Sequence, residues 1–96
     1  MAGPLRVLVR EDVGDSGVAL LREHFDVETG FDWTVAELGD RLAPFHGILI
    51  RSATKLTADL IARGTSLRVI GRAGVGVDNV DVDAATKRGI VVANAP

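Results

Sequence analysis

The sequence predicts an α/β fold built on a parallel sheet, and three observations carry that expectation. Segments of strand length alternate without interruption with segments of helical spacing, an order that calls for right-handed crossovers between parallel strands. Gly47-Ile48-Leu49-Ile50 is continuously apolar, the pattern of a central strand buried on both faces. The helical segments also carry end signals, from the Thr34 to Glu37 capping box to the Lys87-Arg88-Gly89 stop.

Leu5 to Arg10 combines apolar and β-branched residues behind Gly3-Pro4 over strand length and is too short for a helix, so it is the first strand. After the acidic turn Glu11 to Asp15, Val18, Leu21 and Phe25 recur at spacings of three and four, which predicts a helix near residues 15–24 with one buried face. Phe25 to Glu28 then alternates with period two and stops at Gly30, a short strand at a sheet edge. The capping box opens a second helix over 34–43, with Val35, Leu38 and Leu42 as its apolar face. Thr57 opens a third helix carrying Leu60 and Ile61, closed by Arg63-Gly64 as a glycine cap. Leu67 to Ile70 is the fourth strand. Asp81 or Asp83 caps a fourth helix that ends with two cations at the negative end of its dipole, and Ile90 to Val92 is the fifth strand.

The chain has 96 residues, 47% of them apolar and 25% charged, which suits one domain. A formal net charge of −2 leaves no basic excess for a phosphate backbone or an anionic membrane, so nucleic acid and membrane are excluded as partners. Cysteine is absent, which removes disulfides, thiolate metal sites and thiol nucleophiles and fits a reducing cytosol. No apolar run approaches the roughly 18 to 20 residues of a membrane span, and the N-terminus has no apolar leader core, so the expected location is cytoplasmic.

In an open parallel sheet, ligands bind beyond the carboxyl ends of the strands. Those ends are Arg10-Glu11-Asp12, Arg51 to Thr54, Arg72 to Gly76 and Ala93-Asn94. Strands three and four both finish with an arginine, so two guanidinium groups can converge on one rim with donors suited to carboxylate or phosphate. Gly71 to Asn79 is the densest signal in the chain. Its Gly74-x-Gly76 fails as a dinucleotide fingerprint, because the third glycine would fall at Asn79; what remains is an amide nest for an anion, or only a tight turn. His24 and His46 fall away from this rim and are expected to be structural. Glu11 and Asp12 resemble the acids of a receiver domain, but Arg51 and Asn94 stand where that site needs aspartate and lysine, and no metal site is expected. Trp33 is expected to pack rather than to stack a ligand.

Three stretches carry a family resemblance: Ile50 to Lys55, Gly71 to Asp81, and Ala84 to Pro96. Together they resemble the N-terminal part of the D-3-phosphoglycerate dehydrogenases, among the NAD-dependent D-2-hydroxyacid dehydrogenases. The resemblance implies a flavodoxin-like substrate-binding domain with strand order 2-1-3-4-5. It implies that Arg51 contacts the substrate phosphate, that Arg72 lies at the same mouth, and that the amides of Gly74, Val75 and Gly76 receive the substrate carboxylate. Val75 is also implied to approach the cofactor, while Asp78 and Asn79 are read as tying the glycine loop to the following helix.

The whole enzyme implied by the resemblance oxidises 3-phospho-D-glycerate to 3-phosphohydroxypyruvate with NAD, a step of serine biosynthesis. Residues 1–96 correspond to a truncated substrate-binding domain, without the cofactor-binding domain, the catalytic histidine or a helix after strand five. The chain is therefore expected to bind no NAD and to be inactive alone. The alternative is a free-standing module that binds a small phosphate or carboxylate. With order 2-1-3-4-5 and no last helix, central strands holding Ile48, Ile50, Val69, Ile70, Ile90, Val91 and Val92 are expected to expose an apolar strip and to form a homodimer through it.

Overall fold

Apolar residues at alternate positions of short strands set two faces, and the helices then choose between them. The computed structural model describes residues 4–74, 76 and 78–95. Its strands are β1 (Arg6–Val9), β2 (Asp26–Thr29), β3 (Gly47–Ile50), β4 (Val69–Ala73) and β5 (Val91–Ala95), and its helices are α1 (Asp15–Arg22), α2 (Val35–Arg41), α3 (Ala58–Arg63) and α4 (Val82–Lys87). The strands are all parallel in the order β2-β1-β3-β4-β5, as the resemblance implied. One face carries Leu8, Ile48, Ile50 and Ile70 against Leu38 and Leu42 of α2, Leu60 and Ile61 of α3, and Ala85 of α4. This layer is the core.

The opposite face carries Val7, Gly47, Leu49, Val69, Gly71, Val91 and Ala93, which pair across the strands in register. Among the described elements only α1 lies over it, above the β1–β2 side, and it buries none of its own residues fully. The expected buried face of α1 is thus only half-buried, since one helix on a bare sheet has no neighbouring helix to close its flank. For the same reason β3 is not covered on both faces: Leu49 is partly exposed while Ile48 and Ile50 are buried. Val69 is 40% and Val91 62% exposed on this side. Ile48, Ile50, Ile70 and Ile90 belong instead to the covered core, and Val92 packs against it.

The helix ends follow the sequence closely. Thr34 and Glu37 form the reciprocal capping box, Thr57 caps α3, and Asp81 rather than Asp83 caps α4 by accepting the Ala84 amide at 3.0 Å. At the end of α4 the amides of Gly89 and Ile90 reach back to Thr86 and Ala85, with Gly89 at φ 72°, a left-handed turn that glycine makes without cost. This closure uses Ile90, so β5 starts one residue later than expected. Gly64 also ends its helix, but at φ −81°; a side chain there would collide with Leu67, so space rather than backbone twist requires glycine. Leu67 is held in that turn by the hydrogen bond its amide donates to the Gly64 carbonyl, and β4 starts two residues later than the sequence reading, extending to Ala73. Trp33 packs partly buried beside Phe45, under the guanidinium of Arg41.

Candidate functional site

Three loops follow the carboxyl ends of β1, β3 and β4, and the chain welds them together with side chains from two of them. Glu11, just past β1, turns its carboxylate into the loop after β3. It accepts the amides of Arg51 at 2.7 Å, Thr54 at 3.1 Å and Ala53 at 3.2 Å. The small residues Ser52 and Ala53 let those amides approach one point, an arrangement that favours negative charge. Partial burial pushes the Glu11 carboxyl up, but the Arg51 amide, the Thr54 hydroxyl and the other two amides together hold it below the usual carboxylate range. The anion received by this loop is the chain's own.

Asn79 binds the same loop from the other side. Its side-chain amide donates to the carbonyls of Arg51 at 2.7 Å and Thr54 at 2.6 Å. Backbone bonds from Leu56 to Asn79 and from Asp81 back to Leu56 add a short parallel bridge between Leu56 and Val80. Asn79 therefore ties the glycine loop to the Arg51 loop, not to the helix that follows it. The physical reason is donor type: the N-terminus of α4 needs an acceptor, which Asp81 supplies, whereas the Asn79 side-chain amide is a donor and meets the carbonyls of Arg51 and Thr54.

Arg51 is exposed at the rim, and one of its guanidinium nitrogens lies 3.4 Å from the Asp12 carbonyl. Arg72 does not follow β4 but lies within it, paired in register with Ile50 on one side and Asn94 on the other. Its guanidinium folds beneath its own loop and donates to the Gly76 carbonyl at 2.9 Å. Gly74, at φ 148°, leaves room for it: a Cβ there would stand 2.9 Å from the Arg72 nitrogen. Gly76 meets no such obstacle but lies at φ 80°, so its glycine serves the backbone twist. The two strand ends are adjacent, with Arg51 presented outward and Arg72 turned under the loop. Val75, expected at both substrate and cofactor, lies outside the described residues.

The space under Gly74 is filled by the Arg72 guanidinium, and the loop after β1 turns the Glu11 carboxylate to the amides after β3. His46 precedes β3 at the far end of the sheet, where its Nδ1 accepts the Arg6 amide at 3.0 Å, and His24 follows α1. Neither imidazole is at the rim. No group of three or more acids and histidines among the described residues is placed to hold a metal ion. A cleft of about 500 Å³ opens between α2 and α3, but neither Arg51 nor Arg72 lines it, and its Arg63 is paired with Asp40 and Asp59. Sequence reasoning missed the role of Glu11; the signal for it was an acid directly after a strand, opposite a loop of small residues.

Comparison with known proteins gives the family and the fold. The sequence profile of the family described as "D-isomer specific 2-hydroxyacid dehydrogenase, catalytic domain" matches residues 7–96. D-3-phosphoglycerate dehydrogenase of Bacillus subtilis is 48% identical over 95% of this chain and 17% of its own length. The enzyme of the same name from Methanocaldococcus jannaschii is 42% identical over 96% of this chain and 18% of its own length. The chain thus spans less than a fifth of the length of these curated relatives. A crystal structure of the PH0520 protein of Pyrococcus horikoshii superposes with a TM-score of 0.91 at 31% identity, covering 98% of this chain and 28% of that one. The NAD-bound 3-phosphoglycerate dehydrogenase of Entamoeba histolytica shares the fold at a TM-score of 0.81 and 23% identity, over 98% of this chain and 33% of that one. No helix among the described residues is long and apolar enough to cross a membrane. The chain belongs to the D-isomer specific 2-hydroxyacid dehydrogenase family and is similar to D-3-phosphoglycerate dehydrogenases over less than a fifth of their length.

Proposed function

We propose that this chain is the substrate-binding part of an NAD-dependent D-3-phosphoglycerate dehydrogenase, and that its rim holds the phosphate and carboxylate of 3-phosphoglycerate. Arg51 supplies the fork for the phosphate, and the amides of the loop from Gly74 to Gly76 receive the carboxylate. Arg72 supports that loop from below and adds positive charge at its base. The observation that carries the reading is the join made by Asn79, which holds the Arg51 loop and the glycine loop at one spacing, as two anchors for a two-ended anion require. When bound in the whole enzyme, NAD accepts the hydride; these residues bind and orient the substrate, and both histidines lie away from them. We expect the chain alone to have no turnover, to act in the cytoplasm, and to pair with a second copy through the open face of its sheet. The Arabidopsis relative named chloroplastic acts in another compartment by its name.

A chimera tests the proposal. The stretch of the Bacillus subtilis enzyme that matches this chain is replaced by residues 1–96, and the purified product is assayed for NAD reduction with 3-phosphoglycerate. Turnover that falls when Arg51 is changed to Ala supports the reading. A folded chimera that reduces NAD with another 2-hydroxyacid but not with 3-phosphoglycerate contradicts it. A free-standing anion-binding module, the competing reading, requires binding by the chain with no activity in any such chimera.

A further inference from the structure

The loop that carries Arg51 has the form of an anion receptor, yet a carboxylate from the same chain already fills it. Three amides within four positions, those of Arg51, Ala53 and Thr54, turn on one carboxylate, with the Thr54 hydroxyl as a further donor. Nothing in strand pairing requires this: β3 ends at Ile50, and the loop beyond it has no ladder partner until Leu56 meets Val80. Without the acid, these amides would have only water, and the backbone from which Arg51 projects would be restrained by Asn79 alone, through its carbonyls. The two restraints are complementary, one taking the loop's donors and the other its acceptors.

We infer that Glu11 is a positioning residue for substrate recognition: its carboxylate acts as the built-in anion of the loop after β3 and fixes the direction in which Arg51 meets the substrate. This rests on the proposed role of Arg51. It assigns to the loop after β1, which contributes no contact of its own to the substrate in that reading, the task of setting the phosphate anchor. The arrangement also separates two anions at one rim. The chain's own carboxylate takes the amides after β3, which leaves the guanidinium of Arg51 and the glycine loop for the substrate.

The test is chemical rescue, followed by amide resonances of the chain. Changing Glu11 to Ala removes the carboxylate and leaves a space that acetate fits, while Glu11→Gln keeps the shape and loses the charge. In Glu11→Ala, acetate should shift the Arg51, Ala53 and Thr54 amides toward their wild-type positions in a saturable way, with no such response in wild type, in Glu11→Gln or to matched chloride. Affinity for 3-phosphoglycerate should fall about tenfold in both variants, the loss expected for a misdirected charge-assisted contact, and recover with acetate only in Glu11→Ala. Unaltered 3-phosphoglycerate binding by a folded Glu11→Ala or Glu11→Gln chain overturns the inference, as does a Glu11→Ala loop that ignores acetate. Failure of the wild-type chain to bind 3-phosphoglycerate overturns the functional reading instead, and the acetate response still decides whether Glu11 sets the loop.

Discussion

The side-chain amide of Asn79 donates to the main-chain carbonyl of Arg51 at 2.7 Å, joining the end of β3 to the loop after β4. It donates a second bond to Thr54 at 2.6 Å, so one residue satisfies two carbonyls that no strand or helix serves. Asn79→Ala leaves both acceptors to water and should lower stability by about 1 to 3 kcal/mol. Asn79→Asp should cost at least as much, because it faces carboxylate oxygens against carbonyl oxygens. Urea unfolding of the two variants checks this; a variant as stable as wild type would show that the join is incidental.

Two glycines should fail for different reasons. Gly64→Ala adds a methyl against the buried Leu67 and should destabilise by about 1 to 3 kcal/mol through overpacking. Gly76→Ala meets no atom but must hold φ 80°, at a cost of about 1 kcal/mol or more. A second change, Leu67→Ala, should relieve the penalty of Gly64→Ala in a double-mutant cycle and leave that of Gly76→Ala untouched. Additivity at both sites would contradict the distinction.

The Glu11 carboxyl has a folded pKa below its unfolded one, so the folded state binds its proton less readily. The stability it contributes is present above the unfolded value, near 4.5, and is lost as pH falls through the lower folded value. The stability gap between wild type and Glu11→Gln should therefore be constant at neutral pH and shrink on acidification below that range. Chemical unfolding of both proteins across that range measures it. A gap that widens in acid would have the wrong sign.

The open face of the sheet should make the chain self-associate. Val69 and Val91 are 40% and 62% exposed beside Leu49, with Gly47 and Gly71 keeping the surface flat. A second copy presents the same patch, and a two-fold arrangement lets each cover the other. Sedimentation at tens of micromolar, where micromolar affinities of about −8 kcal/mol show, should find a dimer. Val91→Glu should return it to monomer without unfolding it, since the core layer is on the other face; a wild-type monomer would overturn the idea.

Much of this was legible in the sequence because it is local. Thr34, Thr57 and Asp81 cap where their spacing to the next apolar run requires, a short apolar, β-branched run placed β1, and alternation placed β2. Register and loop geometry are not local. The start of β4 slipped because Leu67 is apolar and strand-like yet is taken by the turn at Gly64, a contact set by packing rather than by propensity. Arg51 and Arg72 look equivalent as strand-end arginines; they differ because glycine at position 74 lets the second fold beneath its own loop. Glu11 and the loop after β3 are some 40 positions apart, and only the parallel pairing of β1 with β3 brings them together.

Titration of the isotope-labelled chain with 3-phosphoglycerate, beside the same titration of Arg51→Ala, bears most directly on the proposed site. The chain should bind in the millimolar range, about −4 kcal/mol, with shifts concentrated at Arg51 and at Gly74 and Gly76. Arg51→Ala removes a charge-assisted contact of about 1.5 to 3 kcal/mol and should abolish saturable binding while the spectrum stays folded. Shifts centred elsewhere, or an undiminished response in the variant, would contradict the assignment of this rim to the substrate.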